Sequence, residues 1–158
     1  MARARRANFD LAEAHKYFAA QCFNAAWDLI DKPDRTASDD RLMEALNQAS
    51  IYHWRSRPDF SAKNTSVGYW QASRIQSLLR NWSEALRHAQ TSLEFSDDLG
   101  PFLLGYAHEA MARALFGLER ETEAIAHLDA AAALAQQVTD KGDRELLLAD
   151  VTSIRAEH

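Results

Sequence analysis

The sequence predicts an all-α protein, and three observations carry that prediction. Alanine and leucine number 29 and 18, against 3 valines and 5 isoleucines. Good helix formers dominate, and the β-branched aliphatics that strands favour are scarce. Glycine and proline together number 8 in 158 residues, well below ordinary usage. Apolar residues also recur at steps of three and four along almost the whole chain, the period of one helix face. Sandwiches and barrels are excluded, α/β folds nearly so, and enzyme classes built on a parallel sheet go with them. The length is that of one domain, and a single domain over 1–158 is expected.

Each helix has its own local warrant. The first is expected over about 8–31, with Leu11, His15, Phe18, Cys22, Ala26 and Leu29 in step, and it stops before Pro33. A polar linker over 34–40 offers several N-caps. The second helix follows over about 39–57, with Leu42, Leu46, Ala49 and His53 on one stripe, and Pro58 ends it. Residues 58–66 read as a loop, and a third helix runs over about 66–79 with Tyr69 or Trp70, Ser73, Gln76 and Leu79 in step. Asn81-Trp82-Ser83-Glu84 has the pattern of a capping box, so a fourth helix starts there and runs to about 95. Pro101 suits the first position of a fifth helix over about 101–118. A sixth runs over about 121–138, and the very short joint before it makes the two antiparallel neighbours. Lys141-Gly142 is expected to end that element, with Asp143 capping a last helix over about 143–156.

Three tripeptides repeat: Glu44-Ala45-Leu46, Glu84-Ala85-Leu86 and Glu123-Ala124-Ile125. Their alanines, at 45, 85 and 124, are almost evenly spaced. Each tripeptide opens the second helix of a pair, and an interval of this size is a solenoid period. A lone helical pair cannot bury its apolar face, whereas stacked pairs can. The three alanines are expected where neighbouring helices touch.

This pattern resembles the tetratricopeptide repeat. The match is best over 66–99, where Tyr69, Ser73, Trp82, Ala85 and Ser92 stand at that family's alternating aromatic and small positions. The unit over 105–138 is a degenerate match, with His108, Ala112, Glu121, Ala124 and Ala131. The first pair, over 8–57, matches only in its second helix because its internal linker is longer than the family's turn. The resemblance implies a right-handed α-α superhelix of three antiparallel pairs (about 8–57, 66–95 and 101–138) with a capping helix over about 143–156. It also implies that the first helices of the pairs line a concave groove for an extended peptide. That would place Trp70, Gln71 and Arg74 on the groove face of one unit and Glu109, Arg113 and Phe116 at the equivalent places of the next.

Charge and composition bound the partners. The net charge is −5, and since Arg3, Arg5 and Arg6 precede the first acid, residues 10–158 sum to −8. Such a body repels phosphate backbones, so nucleic acid is not an expected partner. The arginine tip reads as a solvated, frayed terminus rather than a contact for an acidic surface. Cys22 stands alone among apolar neighbours, so it reads as a small buried residue and forms no intrachain disulfide. No run is long enough to span a membrane and no apolar stretch follows the basic start, so a cytoplasmic protein without membrane contact is expected.

The search for chemistry leaves few candidates. His108-Glu109 opens like a zinc-protease motif, but Ala112 stands where the second histidine belongs. Glu84 with His88 and Glu123 with His127 are i,i+4 pairs, which read as a solvated outer face rather than a metal site. No nucleotide loop, nucleophile elbow or CxxC is present, so no catalytic residue, metal or cofactor is expected. Arg74 and Arg113 are separated by the repeat interval and so share one repeat position. Two adjacent guanidiniums repel unless an anion lies between them, although Glu109 can equally pair with Arg113 one turn on. His53 and Trp54, near Arg55 and Arg57 at a helix end, read as packing residues first and as a binding hot spot second.

The leading expectation is therefore a protein–protein interaction module without catalysis, whose groove takes a peptide or protein segment, an acidic or C-terminal one in the version the arginines favour. One alternative is a homo-oligomeric assembly protein that uses its last helix, where the stripe of Leu147, Val151 and Ile154 is expected either to cover the open end of the last pair or to dock on a second copy. The other is a metal-binding helical-bundle enzyme.

Overall fold

The structure is a computed structural model and describes residues 9–158, so the reading of the arginine tip lies outside the described residues. Among these the chain forms seven helices and no strand, in two compact units, one ending at Phe60 and the other Ser61–His158.

The first unit holds α1 (Leu11–Ile30) and α2 (Ala37–Arg55). Asp10 caps α1 by accepting from the backbone N–H of Ala12 and Glu13. Thr36 caps α2 in a reciprocal box with Asp39, two residues earlier than expected. The hydrogen bond from Lys32, then those from Thr36, hold the Asp39 carboxyl down at about 2. Pro33 lies between the helices, as its missing N–H requires.

The buried stripes of this pair differ from the expected ones. Leu11, Phe18 and Leu42 are exposed, whereas Ala19, Ala26 and Ile30 of α1 and Met43, Asn47, Ser50 and Ile51 of α2 are buried. The α2 stripe is thus shifted by one position from Leu42, Leu46 and Ala49. Two polar residues had disguised it. Ser50 is acceptable at a close contact because its hydroxyl donates to the Ala19 carbonyl, 2.8 Å away. Asn47 is 1% exposed.

The second unit contains α3 (Ala62–Leu78), α4 (Trp82–Glu94), α5 (Pro101–Gly117), α6 (Glu121–Ala135) and α7 (Lys141–Glu157). Helix α3 starts four residues before its expected beginning, because Asn64 accepts from the Ser61 backbone N–H at 3.0 Å and opens the helix there. The expected capping box at α4 does not form. Asn81 donates its side-chain amide to Gln76 Oε1 at 2.9 Å, and Glu84 turns to Arg87 instead. Pro101 does open α5. The cap of α7 is Asp140, which accepts from Asp143 N–H at 2.9 Å, so Gly142 lies inside the first turn rather than ending the helix before it.

Within this unit the repeat interval is spatial as well as sequential. Ala85 and Ala124 are both fully buried in one cluster with Ala110, Ala114 and Leu115. Arg80 and Glu119, separated by the same interval, both take φ 60 just past the ends of α3 and α5. In each turn the next N–H reaches back five residues, Asn81 to Gln76 O and Arg120 to Leu115 O, both at 2.9 Å. The α3–α4 seam is clasped by hydroxyls at small positions: Ser73 to Ala85 O and Ser92 to Ser66 O, each 2.9 Å.

Ala45 breaks the pattern, being exposed rather than at a helix contact. Ser50 and Ser92 play the same role, each donating to a carbonyl of the preceding helix. Matching those roles sets Met43, not Ala45, at the place of Ala85. A slip of two residues turns a helix by roughly 200° and carries Ala45 to the outside.

Helix α7 behaves as the sequence predicts. Leu147, Val151 and Ile154 are 0%, 4% and 1% exposed and cover Tyr106, Leu128, Ala131 and Ala135 of the last pair.

Candidate functional site

Helices α3, α5 and α7 run in the same direction: Val67 and Trp70 of α3 share one hollow with Phe102 and Tyr106 of α5, Arg74 and Ser77 share another with Arg113 and Gly117, and α7 meets α5 first at Asp150–Tyr106 and then at His158–Phe116. They line one face of the second unit. The repeat puts Trp70 and Arg74 of α3 opposite Glu109 and Arg113 of α5, because each α3 residue stands one repeat interval before its α5 counterpart.

Glu109 is the hub. It is 3% exposed, and its Oε1 accepts from Arg113 Nε at 2.9 Å while Oε2 accepts the Trp70 indole N–H at 3.3 Å. Arg113 thus has its own ion-pair partner. A buried carboxylate held this way fixes both the arginine and the indole in place.

Arg74 is different. It makes no hydrogen bond or ion pair with any described residue. Burial first, then the Arg113 charge, push its pKa down, and Glu109, Asp150 and Glu157 pull the other way. Each of those acids has its own partner: Glu109 has Arg113, Asp150 accepts from the Tyr106 hydroxyl at 3.0 Å, and Glu157 accepts from Ser153 at 3.2 Å. Burial and the Asp150 carboxylate in turn push the Tyr106 phenol well up.

Two hollows open on this face. One of about 210 Å³ is lined by Arg74, Ser77, Trp82, Arg113, Gly117 and Glu157 among others. The Ser77 hydroxyl there is buried with no hydrogen-bond partner. The other, about 330 Å³, is lined by Val67, Trp70, Phe102, Leu103, Tyr106 and Leu146, with Ser66 at its floor.

The remaining candidates fall elsewhere. Gln71 is 0% exposed, so it has no surface to offer on the expected face. Phe116 is half-buried and stacks on the His158 ring at 4.2 Å and 2°. His53 and Trp54 belong to the first unit. There His53 Nδ1 lies 2.8 Å from His15 Nδ1, and Trp54 sits against the Phe23 ring at 5.3 Å. Cys22 is half-buried, and burial raises its pKa, which suits a packing residue.

The expected solvated face at Glu84–His88 and Glu123–His127 is corrected. His88 is 6% exposed and packs on Tyr69, and His127 Nδ1 lies 2.8 Å from His108 Nδ1. Both members of these two seams are offset by the repeat interval, Tyr69 to His108 and His88 to His127, the one signal by which the sequence could have revealed them. Among the described residues no three histidines, cysteines or acids come close enough to share a metal ion. No helix of the described residues is long and apolar enough to cross a membrane.

The histidines set a pH dependence. His53, His88, His108 and His127 all have pKa values lowered chiefly by burial, with His15, Arg87 and His127 adding repulsion at the first three. The unfolded chain therefore takes up these protons first. Stability is full above about pH 6.5 and falls as the pH drops below it. Urea midpoints measured from pH 7.5 to 5 are expected to decline, and His108→Gln with His127→Gln to flatten the decline. A midpoint that rises on acidification contradicts this assignment.

Compared with known proteins, the sequence matches no family model and no curated protein. Among solved structures the chain is similar to a TPR-like protein from Chlorobium tepidum. The TM-score is 0.71 at 16% identity, covering 94% of this chain and 98% of that one. At that identity the likeness is one of fold: an all-helical, TPR-like architecture.

Proposed function

We propose that the chain is a protein-interaction module without catalysis, and that the α3–α5–α7 face of its second unit binds an extended, acidic segment of a partner protein. The observation that carries this reading is Arg74, a half-buried guanidinium with no hydrogen-bond or ion-pair partner among the described residues, at one hollow with the Ser77 hydroxyl. Arginine presents five N–H donors in a fixed fork that matches a carboxylate, and a buried donor without a partner is costly. A carboxylate from a ligand would satisfy the guanidinium. The TPR-like fold supports the reading, since stacked helical pairs expose extended faces suited to such ligands.

The test is a pull-down from cell extract with the intact chain and its Arg74→Ala variant, at two salt concentrations. Arg74 is the clean site, because its removal strands no partner, whereas Arg113→Ala would leave Glu109 buried and unpaired. A charge-assisted hydrogen bond is worth about 1.5–3 kcal/mol, so capture should weaken roughly tenfold to a hundredfold. It should also weaken with salt in the parent protein. Capture that is unchanged by Arg74→Ala rejects the site.

A further inference from the structure

The larger hollow, about 330 Å³, has a property that the arginine end lacks. Every polar side chain on its wall is already satisfied. Ser66 is bonded to Ser96 at 2.7 Å, the Trp70 indole N–H to Glu109, and the Tyr106 hydroxyl to Asp150. What remains facing the cavity is ring and aliphatic surface from Val67, Trp70, Phe102, Leu103, Tyr106 and Leu146. Leu146 is 59% exposed at its edge, and Trp70, Phe102 and Tyr106 pack edge to face at 5.0 and 5.1 Å. A pocket of this kind gives contact area and no orientation. It fits a group whose position is fixed elsewhere. Its volume is about twice that of the ~150 Å³ apolar cavity that admits benzene, enough for a Phe- or Trp-sized side chain.

The arginine end supplies the fixed point. Because α3 and α5 run in parallel, both hollows lie along the same helices. From Val67–Trp70 to Arg74–Ser77, and from Phe102–Tyr106 to Arg113–Gly117, the helical rise gives a separation of roughly 10–16 Å. An extended chain covers that distance in about three to five residues.

We propose that the apolar cavity is an anchor pocket for one large apolar side chain of the partner segment, held three to five residues from the acidic group that meets Arg74. This rests on the Arg74 reading and adds the composition and spacing of the ligand. A free hydrophobic small molecule is the lesser fit, since the cavity offers it no polar group to orient it.

The test uses fluorescein-labelled, end-capped ten-residue peptides in an Ala/Ser background, each carrying one Phe and one Asp separated by one to eight positions. Anisotropy is read at low salt with the full chain. Spacings of three to five should bind at least tenfold tighter than spacings of one or eight. Val67→Trp fills the cavity from a half-buried position, and should reduce the best peptide to the affinity of its Phe→Ala version while the Asp contribution stays. Leu146→Glu, at the exposed edge, should weaken the same peptide without threatening the fold, and serves if Val67→Trp does not fold. Binding that depends on Asp and Arg74 but not on Phe or spacing overturns the anchor pocket and leaves the Arg74 site standing. No binding above an uncharged, Phe-free control rejects both. Indole alone binding as tightly as the best peptide overturns the anchor in favour of a small-molecule pocket.

Discussion

Leu147→Ala should lower the stability of the second unit by about 3 kcal/mol, within the 2–5 kcal/mol range of fully buried leucines. Leu147 is 0% exposed and belongs to the cluster that joins α7 to α5 and α6. Its end fills a notch in α5 where Gly105 has no side chain: a Cβ there would sit 2.5 Å from Leu147 Cδ2. Knob and notch are one device, so their substitutions are coupled. Gly105→Ala alone should destabilise, because the methyl displaces a packed side chain. Placed on Leu147→Ala it should be neutral or stabilising, since the methyl enters the vacated space and alanine gains about 1 kcal/mol over glycine in a helix. Denaturant titration of the four proteins reads the coupling. Hydrogen exchange should show α7 opening first in Leu147→Ala, because its hold on the pair rests on Leu147, Val151 and Ile154. Strict additivity would mean that the two residues do not share the notch.

The second large effect lies at the other end of α5. Gly117→Ala should cost about 2–3 kcal/mol, at the upper part of the range for an inserted methyl. A Cβ at 117 would overlap the indole of Trp82, with Cε2 only 2.6 Å away and two ring atoms closer still. Gly117 is the last residue of α5 and Trp82 the first of α4, so the contact fixes how the two ends meet. The reciprocal experiment is decisive. In a Trp82→Ala background the obstacle is gone, and Gly117→Ala should change sign and stabilise by up to about 1 kcal/mol. Thermal unfolding of the single and double variants decides it. A Gly117→Ala penalty that persists without the indole would place the strain in the backbone instead. Both residues also line the Arg74 hollow, so the variants should be compared in folding rather than in binding.

Much of this architecture was legible in the chain. Pro33, Pro58 and Pro101 punctuate the helices because a missing N–H and a fixed φ act locally, whatever surrounds them. The α7 stripe was legible for a related reason: Leu147, Val151 and Ile154 are large, apolar and regularly spaced, so no rival face exists. The face of α2 was not legible. Leu42 and Leu46 make the more hydrophobic stripe, but Met43, Asn47 and Ser50 are inside, since a serine that donates to a carbonyl fits a tight helix contact that leucine would block. His88 was misplaced by the same logic, because an i,i+4 acid looks like an exposed partner until Tyr69 covers the ring.

The site divides the same way. The spacing of Arg74 and Arg113 is a fact of sequence, and it sets the two arginines at one repeat position. Which of them stays unpaired is not. Glu109 reaches Arg113 along its own helix and Trp70 across to α3, Asp150 is taken by Tyr106, and Arg74 is left over. Sequence by itself determined the helices, their breaks and the period of the second unit, because propensity and periodicity depend on near neighbours along the chain. Only the tertiary structure decided which faces close, which charges pair and where cavities remain. Those outcomes depend on competition among groups brought together from three helices.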